Sequence, residues 1–325
     1  MQYPQSKYSL LLSRALQQLK FDGKPKELYQ PISYTLSLGG KRIRPLLCLL
    51  GNQLFNGKID DALPVALGIE IFHNFTLVHD DIMDEAPLRR GKPTVHEKWN
   101  RDIAILSGDV MFVKAYEQLL QAETEKLPLL LALFNQTAIQ VCEGQQLDMI
   151  FENTKKVSLK EYLKMIELKT AVLLAFSLKA GALTANASNE NAELIYSFGK
   201  NIGLAFQIQD DYLDAYAKAE KFGKQIGGDI LQNKKTYLLL TAEEEADEKQ
   251  KLRLKKLIEG KMKEEEKIER TISLYNQLKV PQLSRLAMEK YFKKGMQALN
   301  KIKSTNPKAK TELSNLAKTL MGREV

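Results

Sequence analysis

Six aspartates fall in two groups with the same internal spacing: Asp80, Asp81 and Asp84 in VHDDIMDE, and Asp210, Asp211 and Asp214 in IQDDYLD. Each follows an apolar run with helical period. A helix turns about 100° per residue, so the first and last aspartate of each group share a face and the middle one points about 100° away. Like charges one turn apart repel. The first group also lies near a helix C-terminus, stopped by Pro87, where the macrodipole disfavours carboxylates. Such a local conflict marks a candidate site, and a divalent cation with oxygen ligands would resolve it. A solvated acidic helix end is the alternative for one group alone. Two groups 130 residues apart (210 − 80) favour the cation. If the two helices face each other, their carboxylates form a pocket that needs cations. Mg²⁺ takes one or two carboxylates and fills its other positions with water and phosphate oxygens. A polyphosphate substrate is therefore expected.

The basic residues complement this. Lys41, Arg42 and Arg44 stand in GGKRIRP, Arg89 and Arg90 in RRGKPTVH, Lys169 in ELKTA, Lys224 in FGKQIGGD, and Lys234 and Lys235 in QNKKT. Arginine suits bidentate phosphate contact and lysine acts as a point charge. Any one of them could be an ordinary surface cation; the set, tied to two acidic groups, points to phosphate. His73 lies seven residues before Asp80 and falls within about 20° of its helix face, although a histidine there could equally serve helix packing. His73, His79 and His96 form no zinc-ligand set with the cysteines.

The elements that must position these residues are helices. Helical period runs through Ser9–Leu19, Tyr29–Leu38, Pro45–Phe55, Leu63–Asp84, Ile103–Gln121, Leu127–Met149, Leu159–Leu183, Asn189–Tyr216 and Thr236–Ala246, and no convincing strand pattern appears. Gly39-Gly40 reads as a helix stop, and Asp60 or Asp61 as the cap of the helix carrying the first acidic group. A single all-α domain spanning residues 1–325, bundled around its longest helices, is expected. The 325 residues are 44% hydrophobic and 27% charged, an ordinary soluble globular composition. The net charge of +8 resides largely in late stretches such as Lys249–Arg270, where lysines alternate with glutamates. Without interleaved aromatics these are solvated helix faces, and no nucleic-acid partner is expected. Cys48 and Cys142 read as buried free thiols of a reducing cytoplasm. Neither a signal peptide nor an apolar run of about 18 residues is evident, so no stable membrane anchor is expected.

With these motifs in hand, the sequence resembles the trans-isoprenyl diphosphate synthases of the short-chain type, the family of farnesyl and geranylgeranyl diphosphate synthases. GGKRIRP, HNFTLVHDDIMDEAPLRRGKPTVH, GQQLDM, ELKTA, FQIQDDYLD and GKQIGGDI occur in family order from about Leu38 to Lys235. The resemblance implies an all-α fold with a central cavity between the helices bearing the two DDxxD motifs, and a homodimer. It implies Mg²⁺-dependent, head-to-tail condensation of isopentenyl diphosphate with an allylic diphosphate, releasing pyrophosphate. Carried over by motif, Asp80, Asp84, Asp210 and Asp214 are the metal ligands. Arg89, Lys169, Lys224 and Lys234 hold the allylic diphosphate, and Lys41, Arg44, His73 and Arg90 hold isopentenyl diphosphate. Lys169, Thr170 and Gln207 are the catalytic residues, with Thr170 and Gln207 beside the allylic carbon. Phe75 and Thr76, fifth and fourth before Asp80, line the pocket that sets chain length. A bulky aromatic at Phe75 resembles short-chain enzymes and implies a C15 to C20 product, leaning to C20. On the helical wheel Phe75 lies well away from the Asp80/Asp84 face, so its role rests on the resemblance, and plain core packing is the alternative. Two rival readings are a class I terpene cyclase, which would usually carry a different second motif, and a non-catalytic partner subunit, which would be expected to lose motif residues.

Overall fold

The computed structural model describes residues 7–217 and 227–322. The expected all-α class is observed: α1 (Lys7–Gln18), α2 (Lys26–Ser37), α3 (Ile43–Gln53), α4 (Ile59–Met83), α5 (Val95–Lys98), α6 (Arg101–Leu119), α7 (Leu127–Asn153), α8 (Leu159–Ile166), α9 (Val172–Thr184), α10 (Asn189–Tyr216), α11 (Gly228–Leu231), α12 (Tyr237–Glu245), α13 (Glu248–Glu259), α14 (Glu264–Gln277), α15 (Val280–Lys301) and α16 (Pro307–Met321). Strands β1 (Leu88–Arg89) and β2 (Lys92–Pro93) pair antiparallel around the arginine pair, a small departure from the strand-free expectation. The tight turn after Pro87 brings Leu88 opposite Pro93.

Local chemistry explains several helix starts. The Asn100 side chain accepts from Ile103 N–H at the head of α6. Ser158 and Glu161 form a capping box on α8, and Asp247 and Gln250 form another on α13, each satisfying two backbone donors. The cap expected at Asp60 or Asp61 is not the one found. Helix α4 begins after Lys58, with both aspartates inside its first turn, where they favour the helix dipole instead.

The chain divides into two compact units. The first spans Met1–Leu133, Ser177–Glu193 and Lys303–Lys310. At its centre α4 packs against α3 and α6. Ile69, Ile71 and Phe72 of α4 are fully buried, as are Leu49 of α3 and Leu119 of α6. Helix α4 is long and apolar enough, by length and composition, to cross a membrane, but 61% of its most apolar stretch is buried inside the protein. It is apolar nearly all round because it is a core helix. Cys48 is buried as expected, whereas Cys142 is exposed; its apolar neighbours face elsewhere on α7.

The second unit spans Phe134–Phe176, Leu194–Ile302 and Thr311–Val325. Its core joins Tyr162 and Ile166 of α8 to Leu204, Ile208 and Tyr212 of α10, Leu239 of α12, and Leu274 and Tyr275 of α14. The segment read as one helix, Leu159–Leu183, is interrupted by a π turn at Glu167–Ala171. Such single-turn bulges concentrate at functional sites. Gly144 of α7 fits directly against it: a Cβ there would collide with the backbone of Leu168 and Lys169. Because that obstacle is backbone, Gly144→Ala should cost about 1–3 kcal/mol and lower the unfolding midpoint in calorimetry by several degrees. A midpoint within a degree of wild type would show that the approach is not tight.

Candidate active site

The site residues divide between the units. In the first, the acidic stretch ends α4. Asp80 is half-buried and Asp84 exposed, while Asp81 is buried. Arg89, presented by the β-turn, donates from Nε to Asp81 Oδ1 at 2.9 Å and from Nη2 to the same oxygen. Burial pushes the Asp81 pKa up, and the Arg89 hydrogen bond and charge oppose that. The middle aspartate thus has a cation of its own, and the outer two are directed elsewhere.

The loop between α2 and α3 brings a second group together. Its backbone is unusual: Gly39 and Gly40 have positive φ (78° and 130°), as does Arg42 (48°). The φ of 130° at Gly40 favours glycine, and a Cβ there would also displace the Arg90 guanidinium. Arg90 Nη1 donates to Gly39 O. Arg42 Nη2 donates to Leu36 O at 2.5 Å, and its Nη1 pairs with Glu70. Glu70 is only 2% exposed. Arg44 lies against His73, with Nη1 and Nε2 3.1 Å apart. Burial pulls the Arg44 pKa down to about 10, Glu70 opposing, and Arg44 Nε is buried with no hydrogen-bond partner. A buried guanidinium with an unused N–H is a ready anion site. Three of the four residues expected to hold one diphosphate (Arg44, His73 and Arg90) are therefore grouped, and Lys41 is an exposed residue of the same loop.

In the second unit the same splitting recurs. Asp210 and Asp214 are half-buried and Asp211 is buried. Asp211 Oδ2 accepts from the Tyr162 hydroxyl and from Tyr237 N–H at 2.8 Å. Burial pushes its pKa up to about 7, and the two donors oppose that. Asp214 Oδ2 accepts from Asp229 N–H at 3.0 Å, at the head of α11. Asp214, Asp229, Lys234 and Lys267 line a cavity of about 20 Å³. The π turn presents Lys169, whose Nζ reaches Asp148 Oδ2 at 2.6 Å, and Thr170, whose hydroxyl donates to Gln207 Oε1 at 3.2 Å. Lys224 lies outside the described residues.

Phe75 stacks on Phe112 of α6 (5.3 Å between ring centres, 27°) and meets His79 edge-on at 4.7 Å. Thr76 Oγ1 donates to His73 O at 2.8 Å. Sequence reasoning missed Glu70, Asn74, Tyr162 and Lys267. A lone glutamate inside the apolar run ALGIEIF was the available signal, because a buried charge requires a partner. Asp148 and Asp229 stand in quoted motifs that carried no assignment.

The donor set suits Mg²⁺. Among the described residues no three of His, Cys, Asp and Glu form a ready-made cage. Mg²⁺ does not need one, since it is held by one or two carboxylates with water and phosphate completing the shell. In each motif the outer aspartates remain on the less buried side once the middle one has its own donors.

Residues 25–275 match the Polyprenyl synthetase family model. The chain belongs to the polyprenyl synthetase family. It is 44% identical over 221 residues to the geranylgeranyl diphosphate synthase of Methanosarcina mazei, covering 67% of this chain and 68% of that one. It is 41% identical over 249 residues to the short chain isoprenyl diphosphate synthase of Methanothermobacter thermautotrophicus, covering 76% and 77%. A crystal structure of geranylgeranyl pyrophosphate synthase matches with a TM-score of 0.91 at 41% identity over 98% of both chains, so this polyprenyl synthetase has the expected isoprenoid synthase fold.

Burial, followed by the charges of Arg44, Arg90, Arg42 and Arg89, holds the His73 pKa well below its ordinary 6.5. The unfolded chain therefore takes up a proton near pH 6.5 that the folded chain refuses. The stability linked to His73 is present above pH 6.5 and falls as pH drops below it, by at most about 1.4 kcal/mol per unit. His73→Gln should remove that part of the acid-side loss in unfolding midpoints between pH 7 and pH 5. A mutant curve parallel to wild type would show that His73 titrates normally.

Proposed function

We propose that the chain is a trans-prenyltransferase that condenses isopentenyl diphosphate head to tail with an allylic diphosphate, releasing pyrophosphate and giving an all-trans C20 prenyl diphosphate. The observation that carries this reading is the repeated splitting of the two acidic motifs: each commits its middle aspartate to protein donors and leaves the outer pair on the less buried side. The geranylgeranyl diphosphate synthases among its relatives support the C20 product.

Asp80 and Asp84 of one motif, and Asp210 and Asp214 of the other, would hold Mg²⁺ against the allylic diphosphate. Bound Mg²⁺ would neutralise the pyrophosphate charge that builds as the allylic C–O bond breaks. Arg89, Lys169, Lys224 and Lys234 would add positive charge beside that leaving group, an electrostatic contribution to its stabilisation. Arg89 would do so while still holding Asp81. Lys41, Arg44, Arg90 and neutral His73 would bind isopentenyl diphosphate and bring its double bond to the allylic cation. Thr170 and Gln207, hydrogen-bonded to each other, would place their oxygens where the cation's positive charge develops. No side-chain nucleophile is needed. The pyrophosphate itself is the base that takes the final proton.

A homodimer is part of the proposal. Leu106 and Val113 on α6 and Leu120 at its C-cap are more than half exposed at seven-residue spacing, an apolar stripe of the kind that a second helix covers. The cytoplasm is the proposed compartment, in keeping with the two free cysteines.

Incubation with labelled isopentenyl diphosphate and a C5, C10 or C15 starter should give a C20 chain; no incorporation with any starter would overturn the assignment. Asp80→Ala and Asp210→Ala should each lower kcat at least about a hundredfold with an unchanged far-ultraviolet spectrum. Near-normal turnover in both would remove the metal assignment. Phe75→Ala should lengthen the product beyond C20, read by chromatography. An unchanged product would confine Phe75 to packing against Phe112.

A further inference from the structure

One small cavity in the first unit has no part in the proposed chemistry, yet it is lined by residues that do. Its volume is about 10 Å³, and Thr35, Asn74, Asp81, Arg89 and Arg90 line it. That is close to the least space that one water needs. Thr35 and Asn74 are buried, 5% and 0% exposed. Among the described residues, Thr35 Oγ1 and Asn74 Oδ1 are two of the few buried side-chain atoms without a hydrogen-bond partner. An unsatisfied buried polar atom costs about 1–3 kcal/mol, and two lining one water-sized cavity share a single remedy.

The orientation of the Asn74 carboxamide is fixed by its neighbours. Its Nδ2 donates to Glu70 Oε1 and to Glu70 O, both at 2.8 Å. Both partners are acceptors, so the nitrogen must face Glu70 and the oxygen must face away. Glu70 in turn pairs with Arg42, and Arg42 secures the loop through Leu36 O. Arg90 grips the same loop at Gly39 O and also lines the cavity. Asn74 therefore joins the countercharge of the arginine group on one side to the neighbourhood of Asp81 and Arg89 on the other.

We infer that the cavity holds one ordered water, bound by Thr35 Oγ1 and Asn74 Oδ1, and that Asn74 is a positioning residue for the isopentenyl diphosphate arginines. The water donates to the Asn74 oxygen and exchanges a second hydrogen bond with the Thr35 hydroxyl. The chain of contacts water, Asn74, Glu70, Arg42 and loop then keeps Arg44 and Arg90 in their binding geometry. The functional half of this inference rests on the reading of Arg44, His73 and Arg90 given above.

The test combines crystallography with kinetics on the full chain. A crystal structure that resolves waters should place one within about 2.7–3.2 Å of both atoms; a dry cavity in the wild type overturns the inference. Asn74→Leu, of similar size and without polar atoms, should raise KM for isopentenyl diphosphate roughly tenfold and leave KM for the allylic diphosphate within about twofold. Thr35→Val, which removes one partner of the water and leaves Asn74–Glu70 intact, should empty the cavity and raise the same KM by a smaller factor. It decides the matter if Asn74→Leu does not fold. Equal changes in both KM values, or none, would show a merely structural role. If the wild type does not condense the two diphosphates, calorimetric binding of pyrophosphate without divalent metal still separates the questions. Roughly tenfold weaker binding by Asn74→Leu upholds the positioning role while the proposed reaction falls, and unchanged binding overturns the positioning role itself.

Discussion

Crowding carboxylates on a helix is costly, and the way that cost is met organises both units. Three aspartates within five residues cannot all remain near one another in a protein interior without donors. In each motif the middle carboxylate turns inward and takes its own partners, a guanidinium for Asp81 and a phenol with a backbone N–H for Asp211. The outer two are left less buried than the middle one, on the side where divalent cations are proposed to bind. The solutions differ chemically but have the same result. A pair held apart from its neighbour by a neutral phenol demands less positive charge from the protein than one held by arginine. The two motifs are therefore electrostatically unequal despite identical spacing.

The basic side of the first unit meets the mirror-image problem. Arg42, Arg44 and Arg90 are drawn close together around His73, and burial first, with the neighbouring arginine charges adding to it, lowers the pKa of Arg44, Arg90 and His73. Glu70 is the internal counterweight. It takes Arg42 for itself and favours the charged forms of Arg44 and Arg90. The net positive charge left over is what an anion would encounter. A neutral histidine suits such a site better than a charged one, because it adds a hydrogen-bonding group without adding repulsion.

Much of this was legible in the sequence because helical geometry is local. The 100° step separated Asp81 and Asp211 from their outer neighbours before any fold was known, and it placed His73 near the Asp80 face. All-α class followed from period alone. What could not be read were the non-local partners. Nothing near Asp211 in sequence names Tyr162 or Tyr237, and nothing near Lys169 names Asp148. Cys142 shows the same limit: an apolar neighbourhood in sequence does not say which side of a long helix meets the core. The π turn was invisible for another reason. ELKTA contains ordinary helix formers, and the close neighbour of the wider turn, Gly144, lies on another helix. The division into two units was likewise hidden, since both draw on chain segments far apart in sequence and no linker composition announces them.

The π turn also changes how the chain can be altered. It accommodates one residue more than an α-helical turn would, so the extra residue is absorbed locally and α9 continues in phase with α8. Removing a single residue between Glu167 and Ala171 would restore a plain helical turn and leave the fully buried Ala175 and Phe176 facing the core. The same deletion inside α9, where no wide turn absorbs it, would rotate everything after it by about 100°. Lys169 and Thr170 are thus set at a length buffer of the three-dimensional structure: a deletion there alters the side chains offered to the site, whereas a deletion elsewhere in the helix reassigns every inward face that follows.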